Sequence, residues 1–386
     1  MADCNAPETR ALYRTMRASS PVRYDERFRS FCVFRYADAR AVLTDWTSFS
    51  SDYGRLAPGS ALDRIFEGDV NATDPPRHAR LRGLISRAFT PRKMAELEPG
   101  ITRIADELLD AIAPRGECEL NEHFSGVLPL LVIADLLGIP REQHAYLRKL
   151  TLEIIENFES IVSGSPTDAR AHDALDAYFS GVIAERRARP EDDLISLLLA
   201  AEIEGERLTE RELLAFFKVL LVAGNTTTSR FITNAVLTLL EHPEALARVR
   251  ADAGLFPAAL EEVLRYRPPI NTWFRLAAKD VELGGQKIEA KQQVVVFLGS
   301  ANRDEAVFAD PDRFDITRSP NPHLAFSGGV HFCLGASLAR LEGQIAVKAI
   351  LGRLRDLELA SAEPLEPYKG LQPNGVVRLP LRFRAG

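Results

Sequence analysis

The sequence predicts a mainly α protein with a minor β portion, built as one large domain over residues 1–386, on three observations. Helical spacing dominates from about Asp74 to Leu264, interrupted only by short breaks such as APRGEC, GIP, SGSPTD and RARPEDD. Alternation of the β kind is confined to SFCVFRY near the start, VELGGQKIEAKQQVVVFL and the tail GVVRLPLRF. No long linker, internal repeat or low-complexity tract divides the chain, so one domain is the better reading of its length.

Composition narrows the class. The chain is 46% hydrophobic and 26% charged, as a globular protein is. A net charge of -6 argues against a nucleic-acid partner, which calls for a basic face. Cys4, Cys32, Cys118 and Cys333 are far apart with no C-x-x-C pair, so neither zinc nor a disulfide framework is indicated. A reducing cytoplasm is the simplest setting. The first residues hold no apolar segment of the signal-peptide kind. The most apolar window, near FFKVLLVAG, is interrupted by Lys218 and falls short of the roughly 20 apolar residues that span a bilayer. No membrane partner is expected.

In chain order, Ser30–Tyr36 reads as a strand and ADARAVLTD after it as a short helix. In DPPRHARLR, Asp74 can cap a helix and Pro75 suits its first turn, which sets His78 and Arg82 at i, i+4 on one face. Thr209 and Glu212 form a T-x-x-E capping box, and the helical pattern continues to about Glu241, just before Pro243. That is roughly 32 residues, or about 48 Å. Its middle, LLVAGNTTTSRF, is a poor helix: Gly224 costs about 1 kcal/mol relative to Ala, and three successive threonines add to it. An undistinguished kink in a surface helix would explain this. Leu220, Leu221, Val222 and Phe231 bracket the break, however, and place its polar middle in the interior, where hydroxyls need partners. Further on, Glu262 and Arg265 in EEVLR face each other at i, i+3. Gly284-Gly285 turns a hairpin, and Val294–Leu298 reads as a buried strand.

Cys333 has unusual neighbours. Gly328 and Gly329 permit a tight, left-handed backbone before it. After it, Leu334, Leu338, Leu341 and Ile345 carry helical spacing. A cysteine at a helix N-terminus faces the positive end of the dipole, which favours thiolate over thiol. Gly335 and Ala336 leave room for a flat object to approach the backbone. A lone cysteine before a helix is more often inert; the full pattern changes that reading.

F-S-G-G-V-H-F-C-L-G resembles the haem-binding loop of the cytochrome P-450 family, whose pattern F-x-x-G-x-x-x-C-x-G is matched by Phe326, Gly329, Cys333 and Gly335. In that family the cysteine thiolate is the proximal iron ligand, and the electron-rich sulfur promotes O–O cleavage, an established property of the family that the residues themselves do not show. The resemblance extends over almost the whole chain. Glu262 and Arg265 match the family's E-x-x-R pair, which needs further hydrogen bonds if buried. Ala301–Arg318 resembles the segment that leads into the haem loop. By the same resemblance Arg275, His78, Arg82 and His331 match positions that hold haem propionates. His123, His144, His172, His242 and His323 form no cluster and receive no role.

The long helix departs from the family in one place. Ala223, Gly224 and Thr227 match its A/G-G-x-acid-T motif, in which the threonine hydroxyl orders water beside bound oxygen and the acid helps to bring protons in. The acidic position holds Thr226. Either the hydroxyls of Thr226 and Thr228 with Asn225 support a water chain, the favoured account, or protons come from another side chain or from the substrate.

The resemblance implies insertion of one oxygen atom from O₂ into a C–H bond or across a C=C, the other leaving as water. The cofactor would be haem b (iron protoporphyrin IX), held through the Cys333 thiolate. With no flavin or iron–sulfur module in the sequence, electrons from NAD(P)H would arrive through a separate ferredoxin and its NAD(P)H-dependent reductase. Arg77, Arg80, Arg87, Arg92 and Lys93 offer a basic docking face for an acidic ferredoxin, or are an ordinary solvated face. By analogy Ile270, Asn271 and Thr272, with Leu220 and Ala223 and parts of Tyr53–Val70 and Gly370–Gly375, would line an apolar pocket for a medium-sized lipophilic substrate. A haem-thiolate peroxygenase, a rearrangement or coupling enzyme, and a non-catalytic haem-based gas sensor are the alternatives. Thr227 beside Gly224 argues against the sensor, which has no need of a proton path.

Overall fold

The computed structural model of the chain describes residues 3–56, 58–59, 67–86, 89–162 and 170–386, with the side chains of 91 and 155–162 left aside. Helix accounts for 55% and strand for 13%, the mainly α composition that the sequence predicts. Two compact units emerge, one of Met1–Ser51, Ile101–Val127 and Thr227–Gly386, the other of Asp52–Gly100 and Leu128–Thr226.

All strands among the described residues belong to the first unit. They are β1 (Val22–Asp25), β2 (Ser30–Val33), β3 (Phe49–Ser50), β4 (Glu117–Glu119) and β5 (Thr272–Ala277). After these come β6 (Val281–Leu283), β7 (Gln286–Ile288), β8 (Gln293–Phe297), β9 (Leu354–Leu359) and β10 (Pro380–Ala385). The main sheet runs β1-β2-β8-β5-β3, with β2 and β8 parallel and the other pairs antiparallel. In its central strand, QVVVF, Val294–Phe297 is an unbroken apolar run because both faces are covered. Val294 and Val296 point into one core with Val33, Val42 and Ala277; Val295 and Phe297 point into another with Tyr13, Cys32 and Phe34. This is the period of two that a pleated strand imposes.

The glycine pair turns the β6–β7 hairpin as expected, with positive φ at both Gly284 (56°) and Gly285 (76°). Two expectations need correction. SFCVFRY is extended only to Val33, because the Tyr36 N–H donates to Asp304 Oδ2 at 2.8 Å and starts the helix Tyr36–Thr44. GVVRLPLRF joins a sheet only from Pro380; before it, Val376 forms an isolated bridge with Pro367. β4, inside the stretch read as helical, pairs with β10.

Glu262 and Arg265 form the expected pair, bidentate at 2.8 Å for both contacts and fully buried. Arg265 also donates to the carbonyls of Asn302, Pro311 and Arg313. Glu262 also accepts from the Asp315 N–H, Arg318 and Asn321. Every lone pair and proton of the pair finds a partner, the condition for holding two charges in the interior.

In the second unit the capping box closes both ways: Glu212 accepts from the Thr209 N–H at 3.0 Å, and Thr209 Oγ1 accepts from the Glu212 N–H at 3.2 Å. The helix it starts runs from Glu210 to Glu241 without interruption. Burial raises the Glu212 carboxyl, but the Thr209 N–H and the Arg80 guanidinium, at 2.6 Å, outweigh it and hold the acid below its ordinary value. The helix that carries His78 and Arg82 begins at Arg77, later than Asp74 and Pro75 suggest; Asp74 closes its first turn with a carbonyl that accepts the His78 N–H at 3.0 Å.

Candidate active site

Four cysteines compete for any chemistry that needs a thiol. Burial, the largest influence on each, pushes the Cys4, Cys32 and Cys118 thiols up to about 12. All three are enclosed, whereas Cys333 is exposed. A thiolate, and therefore a metal ligand, is costly at the first three and available at the fourth.

The loop that presents Cys333 is built by its own sequence. Gly329 adopts φ +63°, and a Cβ there would lie 2.9 Å from Thr44 Cα, so backbone packs against backbone. A short 3-10 turn over Gly329–His331 follows, and the Cys333 N–H donates to the Phe326 carbonyl at 2.9 Å. The helix Ala336–Arg353 starts directly behind, with Gly335 as its N-cap. A Cβ added at Gly335 would meet nothing within 4 Å, so the backbone beside the cysteine borders open space.

Arg275, in β5, is buried and donates from Nη1 to the Phe274 carbonyl at 2.9 Å. His331 is half-buried in the loop itself. These two and Cys333 belong to the first unit, whereas His78, buried, and Arg82, half-buried, belong to the second.

The middle of the long helix has an open stripe. Leu220, Gly224 and Thr227 are half-buried and Ala223 is exposed, while Leu221, Asn225 and Thr228 are buried. Leu220, Ala223, Gly224 and Thr227 fall at i, i+3, i+4 and i+7, one face of a helix. Gly224 also has a packing reason, since a Cβ there would lie 2.8 Å from Ile133 Cδ1. Thr226 is off the stripe, and its Oγ1 donates back to the Val222 carbonyl at 2.8 Å. Asn225 Oδ1 is buried with no hydrogen-bond partner.

Of the expected pocket residues, Ile270 is half-buried and bridges to Pro373, and Thr272 is buried opposite Phe297. Asn271 departs from expectation: its carboxamide exchanges hydrogen bonds with the Tyr13 hydroxyl at 3.1 and 2.8 Å and abuts Gly299. It staples the helix Pro7–Ser19, which carries Tyr13, to the sheet and is committed there. The stretch 60–66, within the segment expected near the pocket, lies outside the described residues. The basic docking face also changes. Arg77 and Arg80 pair with Glu212, Arg80 with Glu206 as well, and Arg92 and Lys93 with Glu96. Arg87 lies outside the described residues. Glu96 from the same helix, and Glu206 and Glu212 from far along the chain, pair with the cations that the sequence leaves free.

Sequence reasoning assigned nothing to Glu261, His323 and Arg340, which gather beside the cysteine loop. Glu261 accepts from Arg340 at 2.6 and 2.8 Å and from His323 at 3.0 Å. The available signal was the position of Arg340, seven residues and two helical turns beyond Cys333.

The residues present fit an iron cofactor held by sulfur. Among the described residues no three His, Cys, Asp or Glu side chains gather to hold a metal. One accessible soft donor lies beside open space, and the buried guanidinium of Arg275 belongs to the same unit. Among the described residues, no helix is long and apolar enough to cross a membrane.

Comparison with known proteins agrees. A family model, Cytochrome P-450, matches residues 27–384. Cyclomarin C epoxidase CymV of Salinispora arenicola is 41% identical over 379 residues, covering 96% of this chain and 95% of that protein. Cytochrome P-450 monooxygenase PikC of Streptomyces venezuelae is 39% identical over 384 residues, covering 97% and 91%. Among solved structures, CYP109Q5 from Chondromyces apiculatus matches with a TM-score of 0.90 at 40% identity, covering 100% of this chain and 98% of that one. CYP109E1 from Bacillus megaterium in complex with testosterone matches at 0.87 and 38%, covering 96% and 98%.

Proposed function

Because the chain belongs to the cytochrome P-450 family, we propose that Cys333 holds the iron of haem b and that the enzyme inserts one atom of O₂ into a medium-sized lipophilic substrate. Monooxygenase chemistry is the family's. The choice of Cys333 rests on one observation above all: it is the exposed thiol among four, in a loop closed by the Phe326 carbonyl at the mouth of a helix. Arg275 and His331, with His78 and Arg82, are the side chains that would hold the two propionates. Residues 1–386 are read as one catalytic domain. Electrons from NAD(P)H would come through a separate ferredoxin and its reductase, in the cytoplasm.

When bound, the haem supplies reductive activation of O₂ and transfer of one oxygen atom. The chain supplies position and protons. Cys333 gives the sulfur ligand, and its N–H, tied to Phe326, holds the loop in one conformation. Thr227 lies on the open stripe, where its hydroxyl would order water and pass a proton. The unpartnered Asn225 Oδ1, two residues before it, calls for a water. That supports a water chain over a carboxylate as the proton path. Leu220, Ala223, Ile270 and Thr272 suit an apolar substrate, and a relative crystallised with testosterone and another named for cyclomarin C epoxidation point to that class.

A second reading, a haem-thiolate peroxygenase or a rearrangement enzyme, is favoured by Thr226, whose hydroxyl is used inside the helix where the family carries an acid. Dependence of turnover on O₂ and reduced ferredoxin separates the two. The central claim is tested by the spectrum of reduced protein under carbon monoxide. A strongly red-shifted Soret band, lost in Cys333→Ala with helical content kept, is the expected result. An unchanged band in that variant, or no haem band after haem-replete expression, overturns it.

A further inference from the structure

Two successive glutamates on the helix Phe256–Tyr266 have different destinations. Glu262 goes to Arg265 and the segment after it. Glu261 goes instead to the helix behind the cysteine, where Oε1 takes Arg340 Nε at 2.6 Å and Oε2 takes Nη2 at 2.8 Å. His323 Nε2 lies 3.0 Å from the same Oε2. Because His323 Nδ1 accepts the Ala325 N–H at 3.3 Å, the ring proton is on Nε2 and is donated to Glu261.

Arg340 is thereby fixed over the cysteine loop. Its guanidinium carbon is 4.5 Å from the centre of the Phe326 ring, and the His323 ring lies 6.0 Å from the same ring. Phe326 in turn carries the carbonyl that binds the Cys333 N–H. Burial raises the Glu261 carboxyl, but Arg340 and His323 outweigh it and hold the acid down at about 2, so it is ionised at any working pH. The Arg340 guanidinium is held above its ordinary value by the hydrogen bonds it donates to Glu261, against some burial, and then by the charges of Glu261 and Cys333. Through Phe326, the guanidinium is placed beside the loop that presents the sulfur.

We infer that Glu261 and Arg340 are positioning residues that set the reduction potential of the centre held by Cys333, with opposite signs. A fixed cation near the sulfur stabilises the more negative, reduced centre; the carboxylate beside that cation attenuates it. The bidentate contact to Glu261 and the stacking on Phe326 make Arg340 a fixed charge, unlike a solvated surface arginine. The inference rests on the proposal that Cys333 is the iron ligand.

Potentiometric titration of haem-loaded protein, followed by absorption, tests it. Arg340→Gln lowers the potential and Glu261→Gln raises it, each by roughly threefold in the ferric-to-ferrous equilibrium, while Arg340→Lys stays near the parent. Merely loosening the loop would move both neutral variants in one direction. Shifts of the same sign, or none, overturn the inference. Arg340 is 34% exposed, so its Gln and Lys variants decide the matter even if Glu261→Gln fails to fold. Failure of the underlying proposal looks different: the red-shifted carbon monoxide band would then survive in Cys333→Ala.

Discussion

Gly329 and Gly335 flank Cys333, and the structure gives them different reasons to be glycine. At Gly329 a side chain would need positive φ and would drive its Cβ onto the Thr44 backbone. Gly329→Ala should cost about 1–3 kcal/mol, read as a lower midpoint in thermal melts of the loaded protein. At Gly335, with φ −82° and nothing near a Cβ, alanine should leave the melt of the haem-free protein unchanged while lowering haem occupancy. Thr226 and Thr227 separate by position. Thr226 lies off the open stripe and bonds the Val222 carbonyl, whereas Thr227 lies on the stripe with Leu220 and Ala223. Thr227→Ala should divert more NAD(P)H electrons to hydrogen peroxide than Thr226→Ala does. Equal coupling in the two variants would remove the special role of Thr227.

At the scale of the element, the long helix is specified at its start and compromised in its middle. Thr209→Ala opens the capping box and should cost about 1 kcal/mol in denaturant unfolding. Its Glu212 also neutralises Arg80, so that carboxylate serves cap and ion pair together. The helix Phe256–Tyr266 carries a heavier requirement. Breaking the fully buried Glu262–Arg265 pair from one side leaves the other charge stranded. Glu262→Gln should cost about 3–5 kcal/mol, seen as a lower denaturant midpoint, and no compensating pair is at hand. A result near zero would mean that Arg265 is satisfied by the three carbonyls alone.

Over the whole molecule, buried acids give stability a pH dependence of two signs. Glu342 is enclosed with no hydrogen-bond partner for Oε2, and burial alone pushes its carboxyl from 4.5 up to about 8. Burial likewise raises Asp69 from 3.8 to about 7, against the hydrogen bonds from Asn71. Between their ordinary and raised values these groups keep a proton when folded and lose it when unfolded, so stability falls as pH rises through that window. Glu342→Gln should flatten the loss of melting temperature between about pH 5 and pH 8, an effect of up to a few kcal/mol. An unchanged slope would place the proton elsewhere. Glu261 works the other way: its contribution is present above 4.5 and is lost as pH falls through about 2. By itself the sequence determined what depends on neighbours a few residues away: the capping box, the paired glycines of the β6–β7 hairpin, the cysteine loop, the length of the long helix. Turn chemistry and helical period act over those distances. The tertiary structure alone decided which distant polar groups meet. Arg340 finds Glu261 across 79 residues, Asn271 finds Tyr13 across 258, and Arg80 finds Glu212 across 132. No local pattern encodes such pairings, because they form only where packing of the apolar faces brings distant segments together and burial makes an unpaired group costly.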